Sequence, residues 1–171
     1  MRISIGCDHI VTEVKDHFVK YLAESGHEVI DNGTHDKERT HYPIYGKKTA
    51  EKVVLGAADL GIVICGTGVG ISVSANKVQG ARAALVRDVE AARYAKENLH
   101  ANIIAMGGRI TGIGLMEDIV DAFIKTKYKA TPEEEEVIKK IDRLVGNEEQ
   151  LNNDHYFDEF IDKWEQGAYQ D

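Results

Sequence analysis

Proline, cysteine and long apolar runs are scarce in this sequence, and each scarcity narrows the class of protein. Two prolines and two cysteines occur among 171 residues. No segment approaches the roughly 20 consecutive apolar residues that span a membrane, and the opening stretch MRISIGCDH lacks the apolar run of a signal peptide. We therefore expect no membrane contact and a cytoplasmic protein with reduced thiols.

An excess of basic residues is also missing. The formal net charge is −8, and residues 147–171 alone contain eight acids and one base. A nucleic-acid-binding protein needs a basic patch or stripe, so we expect no nucleic-acid partner. In the same 147–171 segment, apolar residues recur at helical spacing. This pattern predicts an acidic amphipathic helical tail that packs on its own domain or on a partner; the apolar positions are Phe157, Phe160, Ile161 and Trp164.

Metal-ligand spacing is absent as well. Neither cysteine lies in a CxxC pair, and the histidines at 27, 35, 41, 100 and 155 show no ligand spacing among themselves. We expect no metal site.

What the sequence does contain is an alternation of short β-rich runs with helical segments. Strands are predicted at 2–6, 28–30, 60–65, 82–86 and 103–107, with amphipathic helices between them. Such alternation predicts an α/β fold with a doubly wound, five-stranded parallel sheet of Rossmann-like type. We assign this domain to residues 1–146 and the helical extension to 147–171.

Two helix starts are marked by their capping residues. Asp88 is a plausible N-cap for a helix over 89–97. Thr131 and Pro132, followed by four glutamates, predict the start of a further helix. We expect one apolar side of this last helix to be buried, formed by Val137, Ile138, Ile141, Leu144 and Val145.

The loop GTGVG at 66–70 follows a buried-type strand. It is neither a full GxGxxG nor a GxxxxGK motif, so nucleotide binding is poorly supported. Glycines at a helix N-terminus can turn backbone N–H groups towards an oxyanion or phosphate. The alternative is that they only permit tight packing of strand on helix.

Cys65 lies at the mouth of this loop, beside the positive end of the predicted helix. A thiolate facing an oxyanion nest suits nucleophilic acyl chemistry or proton abstraction next to a carbonyl. Asp8 and His9 follow the first strand, and in open parallel sheets ligands bind beyond the carboxyl ends of the strands. A satisfied loop histidine is the alternative for His9, and Cys7 fits a small buried hydrophobe.

The segments GCDH (6–9), ERTHYP (38–43), ICGTGVGISVSANK (64–77) and NIIAMGGRITG (102–112) together resemble the ribose-5-phosphate isomerase B family. Within that family, the resemblance is strongest to the B-type subunits of its galactose-6-phosphate isomerase group. It implies interconversion of aldose and ketose sugar phosphates through a cis-enediol, without a cofactor or metal.

Carried over by position, the resemblance implies Cys65 as the base and Thr67 as its catalytic neighbour. The substrate-binding positions that it implies are Asp8, His9, Tyr42, Gly66, Gly68, Val69, Gly70 and Arg109, with Arg109 near the phosphate.

Two family patterns are altered in this chain. Where the family has HNxxN, whose histidine assists ring opening, this sequence has Asn98 and Leu99. Where the family has RHxxR, whose arginines hold phosphate, it has Pro132 and Glu136. Since family members build each site across a dimer interface, the resemblance implies a paralogous A-type subunit that carries HNxxN and RHxxR.

Two alternatives remain open at this point. One is a homodimeric pentose or hexose phosphate isomerase in which His100 compensates for the missing histidine. The other is a non-catalytic subunit that binds sugar phosphate or acts as a scaffold. A scaffold would need the shape of the loop but not the thiol of Cys65.

Overall fold

The computed structural model of the chain describes residues 1–129, 131–146, 159, 162–163 and 166–167. Within them the strands are β1 (Arg2–Cys7), β2 (Glu28–Asp31), β3 (Leu60–Cys65), β4 (Ala83–Leu85) and β5 (Ile103–Gly107). The helices are α1 (Thr12–Glu24), α2 (Tyr42–Val54), α3 (Val69–Ala75), α4 (Val89–Leu99), α5 (Ile113–Lys125) and α6 (Pro132–Asp142), and a short 3-10 turn, His9–Val11, precedes α1.

The strands form one parallel sheet in the order β2-β1-β3-β5-β4. The chain winds outwards from β1 to β2 and then crosses to β3 on the other side of β1. The two strands at this reversal, β1 and β3, pair so that Cys7 lies opposite Ile64. The predicted doubly wound five-stranded sheet is confirmed, and its switch point lies where ligands bind in such sheets.

Each face of the sheet is covered by helices. One apolar cluster packs β1, β3 and β5 side chains against α1, α4 and α5, with Phe18 and Phe123 fully buried. The other packs the opposite face against α2 and α3, and it includes Ile71 and Cys65. The Cys65 thiol thus belongs to the smaller, α2–α3 side of the core.

The capping predictions are confirmed. The Asp88 side chain accepts a hydrogen bond from the Ala91 N–H group at 2.7 Å. At the start of α6, the Thr131 hydroxyl and the Glu134 carboxylate form a reciprocal capping box.

The predicted buried side of α6 is confirmed only in part. Ile138 is buried and Val137, Leu144 and Val145 are half-buried, whereas Ile141 is 38% exposed. The physical reason is position, because α6 lies beside the edge strand β4 instead of over the sheet. A cleft of about 330 Å³ separates Ile141 from Ala83 and Ala84 of that strand.

The predicted tail helix over 147–171 lies mostly outside the described residues. Those described there include Glu159, whose carboxylate is 2.7 Å from the Lys140 ammonium on α6. In the part of the chain that is described, no helix is both long and apolar enough to span a bilayer. The same residues hold no group of three or more potential metal ligands.

Candidate active site

The carboxyl ends of β1 and β3 bring two predicted site segments together. Asp8 directly follows β1, and its backbone N–H donates to the Ile64 carbonyl of β3 at 2.9 Å. Cys65 is the next residue of β3. The sheet therefore fixes the Asp8–His9 segment beside the glycine loop, although the two are more than fifty residues apart in sequence.

Cys65 is nearly enclosed, with 6% of its surface exposed. Its sulfur accepts a hydrogen bond from the Gly68 N–H group at 3.1 Å. Gly68 has a φ of 81°, and a Cβ atom there would come within 2.8 Å of the Met106 carbonyl carbon. The loop can turn this N–H onto the sulfur because position 68 carries no side chain.

The N-terminus of α3 supplies further donors next to the thiol. The Val69 N–H donates to the Thr67 hydroxyl at 3.3 Å. The N–H groups of Gly70 and Ile71 find no acceptor among the described residues. Free N–H groups at the positive end of a helix attract an oxyanion, so this loop can stabilise negative charge that develops on a substrate oxygen.

Tyr42 closes one side of the loop. Its ring lies against Gly70, where an added Cβ would meet the phenol carbons Cζ and Cε2 at 2.6 and 2.7 Å. Tyr42 is the first residue of α2 and remains 39% exposed. The missing side chain at position 70 is therefore what lets Tyr42 approach the free N–H groups.

Asp8 and His9 form a pair of defined geometry. Asp8 is 6% exposed, and its Oδ1 accepts the Ile10 N–H at 3.0 Å. The same oxygen is 3.0 Å from His9 Nδ1. Because an ionised carboxylate can only accept, we assign the proton to Nδ1. This assignment leaves Nε2 of His9 available to a ligand.

Arg109 lies on the same side of the sheet. Its backbone N–H donates to the Gly66 carbonyl at 3.1 Å, which ties the loop after β5 to the glycine loop. Its guanidinium has no ion-pair partner among the described residues, and it lines a cleft of about 370 Å³ together with His9 and Lys37. An unpaired cation beside His9 can attract an anionic substrate.

Sequence reasoning missed the contribution of the β2–α2 loop. The Thr40 N–H lies 3.4 Å from His9 Nδ1, and Lys37 reaches the cleft beside Arg109. Thr40 lies within the segment ERTHYP (38–43), which carries part of the family resemblance but gave this residue no role. For Lys37, the available signal was its proximity in sequence to that segment.

His100 is far from this site within the chain. It caps the end of α4 with a φ of 49° and stacks on Tyr128 with ring centroids 4.0 Å apart. Burial lowers its pKa, and the charges of Arg82 and Lys96 lower it further. Cys65 pairs with Gly107 at the carboxyl end of β5, whereas His100 precedes the amino end of that strand. At about 3.3 Å per strand residue, the sheet separates them by more than about 13 Å.

The other altered positions also lie away from the thiol, at this corner of the molecule. Asn98 and Leu99 end α4, and Pro132 and Glu136 lie in the first half of α6. Glu136 pairs with Lys139 at 2.9 Å and faces solvent. We call the end of α4 together with the start of α6 the α4–α6 corner.

The chain was compared with known proteins. A family model described as Ribose/Galactose Isomerase matches residues 3–141. The chain is 64% identical over 170 residues to galactose-6-phosphate isomerase subunit LacB of Clostridium acetobutylicum, which covers 99% of this chain and 98% of that protein. It is 43% identical over 128 residues to ribose-5-phosphate isomerase B of Escherichia coli, covering 75% and 86% of the two chains.

A solved structure agrees with these sequence matches. Ribose-5-phosphate isomerase B of Clostridium thermocellum superposes with a TM-score of 0.82 at 44% identity, covering 84% of this chain and 97% of that one. Sequence, fold and the thiol-bearing glycine loop therefore agree, and the chain belongs to the ribose/galactose isomerase family.

Proposed function

We propose that this chain is the base-bearing subunit of a galactose-6-phosphate isomerase that interconverts D-galactose 6-phosphate and D-tagatose 6-phosphate. The observation that carries the proposal is the 64% identity, over nearly the whole of both chains, to a subunit named for that activity. The buried thiol beside free N–H groups supplies chemistry that fits the reaction.

Cys65 acts as the general base. Its thiolate removes the proton from C2 of the open-chain aldose, and the electron pair of that C–H bond forms the enediolate. Negative charge then moves onto the substrate oxygens, where the N–H groups of Gly70 and Ile71, which have no acceptor among the described residues, and the Thr67 hydroxyl stabilise it. The proton on Cys65 returns to C1 while the proton of the O2 hydroxyl passes to O1 within the bound enediolate, so that O2 becomes the carbonyl oxygen and O1 a hydroxyl. Nothing is consumed in the cycle.

The substrate is held on this side by four further residues. Asp8 orients His9, whose free Nε2 binds a sugar hydroxyl. Tyr42 covers the substrate above Gly70, and the unpaired Arg109 lies towards the phosphate.

Ring opening and most of the phosphate binding come from a second subunit. His100 is too remote to serve Cys65 of the same chain. The glutamates that begin α6 would repel a phosphate dianion, at a cost of roughly 1 kcal/mol or more for one contact pair in water. A paralogous A-type subunit with HNxxN and RHxxR supplies both missing functions, in agreement with the word "subunit" in the relative's name.

The test is a reconstitution. This chain and a candidate A-type subunit are purified separately, and formation of tagatose 6-phosphate is measured for each and for the mixture. Activity is expected in the mixture only. Turnover of galactose 6-phosphate by this chain alone would contradict the shared site.

The same assay tests a second candidate, a self-sufficient ribose 5-phosphate isomerase. The 43% identity to the Escherichia coli enzyme favours it. Ribose 5-phosphate turnover by this chain alone, exceeding its activity on galactose 6-phosphate in the mixture, would support it over our proposal.

A further inference from the structure

A buried row of hydroxyl groups joins the two loops that carry His9 and Tyr42. Thr12 and Thr34 are 4% and 3% exposed, and their Oγ1 atoms are 2.5 Å apart. The Thr34 hydroxyl is also 3.7 Å from the Cys7 sulfur. On the other side, the Thr12 hydroxyl is 2.7 Å from the Asp36 carbonyl. The row runs from the end of β1, through the start of α1, to the β2–α2 loop.

Each proton in this row can be assigned. Burial raises the pKa of the Cys7 thiol, which therefore remains protonated and donates to Thr34. Thr34 then donates to Thr12. A hydroxyl has one proton, and Thr12 gives it to the Asp36 carbonyl at 2.7 Å in preference to the His9 carbonyl at 3.1 Å. Loss of the Thr12 hydroxyl leaves both Thr34 and the Asp36 carbonyl without their partner.

The segment held by this row approaches the site directly. The Asp36 carboxylate accepts the Glu38 N–H at 3.0 Å, and the Thr40 nitrogen lies 3.4 Å from His9 Nδ1, so that the backbone of residue 40 is in van der Waals contact with the imidazole. Two residues later, Tyr42 lies against Gly70. Greater mobility of the backbone at residue 36 would therefore also make Thr40 and Tyr42, which adjoin the site, more mobile.

A separate contact holds only the beginning of the loop. Lys15 is fully buried, and its ammonium donates to Asp31 at 2.6 Å, while the other oxygen of Asp31 accepts the Gly33 N–H at 2.9 Å. This pair fixes the end of β2 and reaches into the loop only through the exposed His35, which lies 3.7 Å from Asp31. The later part of the loop is held by an exposed ion pair of Lys37 with Glu13 and by the Thr12 hydroxyl, which is the buried one of the two contacts.

We propose that Thr12 is a positioning residue for substrate binding, which acts by fixing residues 34–40 against His9. The inference rests on the proposed sugar phosphate isomerase activity, because Thr12 itself touches no reacting atom. It predicts that the Thr12 hydroxyl affects KM more than kcat. The base Cys65 and its hydrogen bond with Gly68 lie at the end of β3, away from the β2–α2 loop that Thr12 holds.

The test compares Thr12→Val, which removes the hydroxyl, with Thr12→Ser, which keeps it. Each variant is assayed for galactose 6-phosphate turnover in the mixture with the A-type subunit. One lost buried hydrogen bond leads us to expect a KM about tenfold higher in Thr12→Val with a much smaller change in kcat, and near-parental values in Thr12→Ser. Thr126→Val is the matched control, because Thr126 is half-buried at the end of α5, away from the site.

Amide hydrogen exchange of residues 34–40, measured on this chain alone, provides a readout that needs neither substrate nor partner. Faster exchange in Thr12→Val, with the parental rate in Thr12→Ser, supports the positioning role. If the exchange gives this result but no galactose 6-phosphate turnover is found, the proposed function is wrong and the positioning role stands. Unchanged exchange, or equal losses in the Val and Ser variants, overturns the inference.

Thr34→Val breaks the same row from the loop side and covers the case in which Thr12→Val does not fold. It should raise KM and speed exchange in the same way. If both valine variants fail to fold, as judged by thermal unfolding, the hydroxyls serve the stability of the fold, and the positioning role is overturned.

Discussion

The Cys65 loop and the α4–α6 corner differ in almost every physical respect. The first is enclosed, ordered by backbone hydrogen bonds and has donor groups without acceptors among the described residues. The second is more exposed and acidic, with Glu136 paired to Lys139 and Glu134 engaged in the helix cap. One region has donor groups open to an anion, and the other carries negative charge that repels one.

The contrast lies in what each region leaves for a ligand. The Ile71 N–H is buried and the Gly70 N–H is half-buried, and neither has an acceptor among the described residues, whereas the exposed Arg109 guanidinium is hydrated until an anion replaces the water. At the α4–α6 corner, His100 is stacked on Tyr128 and kept neutral by its surroundings. A subunit that uses only one half of a shared site would show this division.

The largest effect is expected from Cys65→Ala. Loss of the base should stop exchange of the C2 hydrogen of galactose 6-phosphate with solvent deuterium, and turnover of the mixture should fall by about 10²–10⁴-fold. NMR of the substrate in D₂O measures the exchange, and gel filtration verifies that the subunits still associate. Cys7→Ala, which removes the buried thiol of β1, is the matched control. Exchange at the parental rate in Cys65→Ala would show that another group is the base.

The α4–α6 corner can be given the ring-opening and phosphate-binding residues that this chain lacks. Asn98→His, Leu99→Asn, Pro132→Arg and Glu136→Arg together recreate HNxxN and the two arginines of RHxxR at the α4–α6 corner. We expect measurable isomerase activity from this variant without the A-type subunit, where the parent chain gives none. A variant with Asn98→His and Leu99→Asn only should stay inactive, because phosphate would still be repelled.

Should the fourfold variant fold and form dimers but remain inactive, the second half of the site does not lie at the α4–α6 corner. Circular dichroism and sedimentation give the fold and the association state needed for that conclusion.

A smaller effect is expected from Gly70→Ala. The new methyl group would lie about where the Tyr42 ring is, with contacts of 2.6–2.9 Å, so the ring must move. A displacement of this kind should lower kcat/KM by about 10- to 100-fold. The control is Gly114→Ala, since Gly114 is likewise the second residue of a helix but has no atom within 4 Å of an added Cβ. Equal kinetics for the two variants would remove Tyr42 from the site.

The smallest effect concerns His100 and stability. Its pKa in the folded state is below the ordinary value, mainly because of burial and then because of Arg82 and Lys96. As the pH falls from 7 towards 5, the unfolded chain therefore takes up a proton that the folded chain does not yet bind, and the free energy of unfolding decreases. His100→Asn, which tolerates the positive φ, should lose less stability over this range than the parent.

Urea denaturation at pH 7 and pH 5 measures this difference. His35→Asn, at an exposed histidine, controls for the removal of a histidine as such. If the free energy of unfolding decreases equally in the parent and in His100→Asn between pH 7 and pH 5, protonation of His100 does not contribute to the loss of stability.

The agreement between sequence and structure is best where the local pattern and the tertiary fold require the same thing. The run at 60–65 is apolar throughout and becomes β3, buried on both faces. Asp88 and Thr131 form their predicted caps because a cap depends on residues within one turn. For α6, the expected burial was only partly right, because the apolar pattern of a helix does not say how much surface its neighbours offer.

The sequence by itself determined the order of the strands and helices, the glycine-rich turn after β3 and the thiol that precedes it, because these depend on contacts between near neighbours. Tertiary structure alone decided that Asp8 meets β3, that Tyr42 rests on Gly70, that Thr12 joins two loops, and that His100 lies at the far edge from Cys65. These relations join residues 22 to more than 50 positions apart, and they follow from strand order and register, which no local pattern encodes.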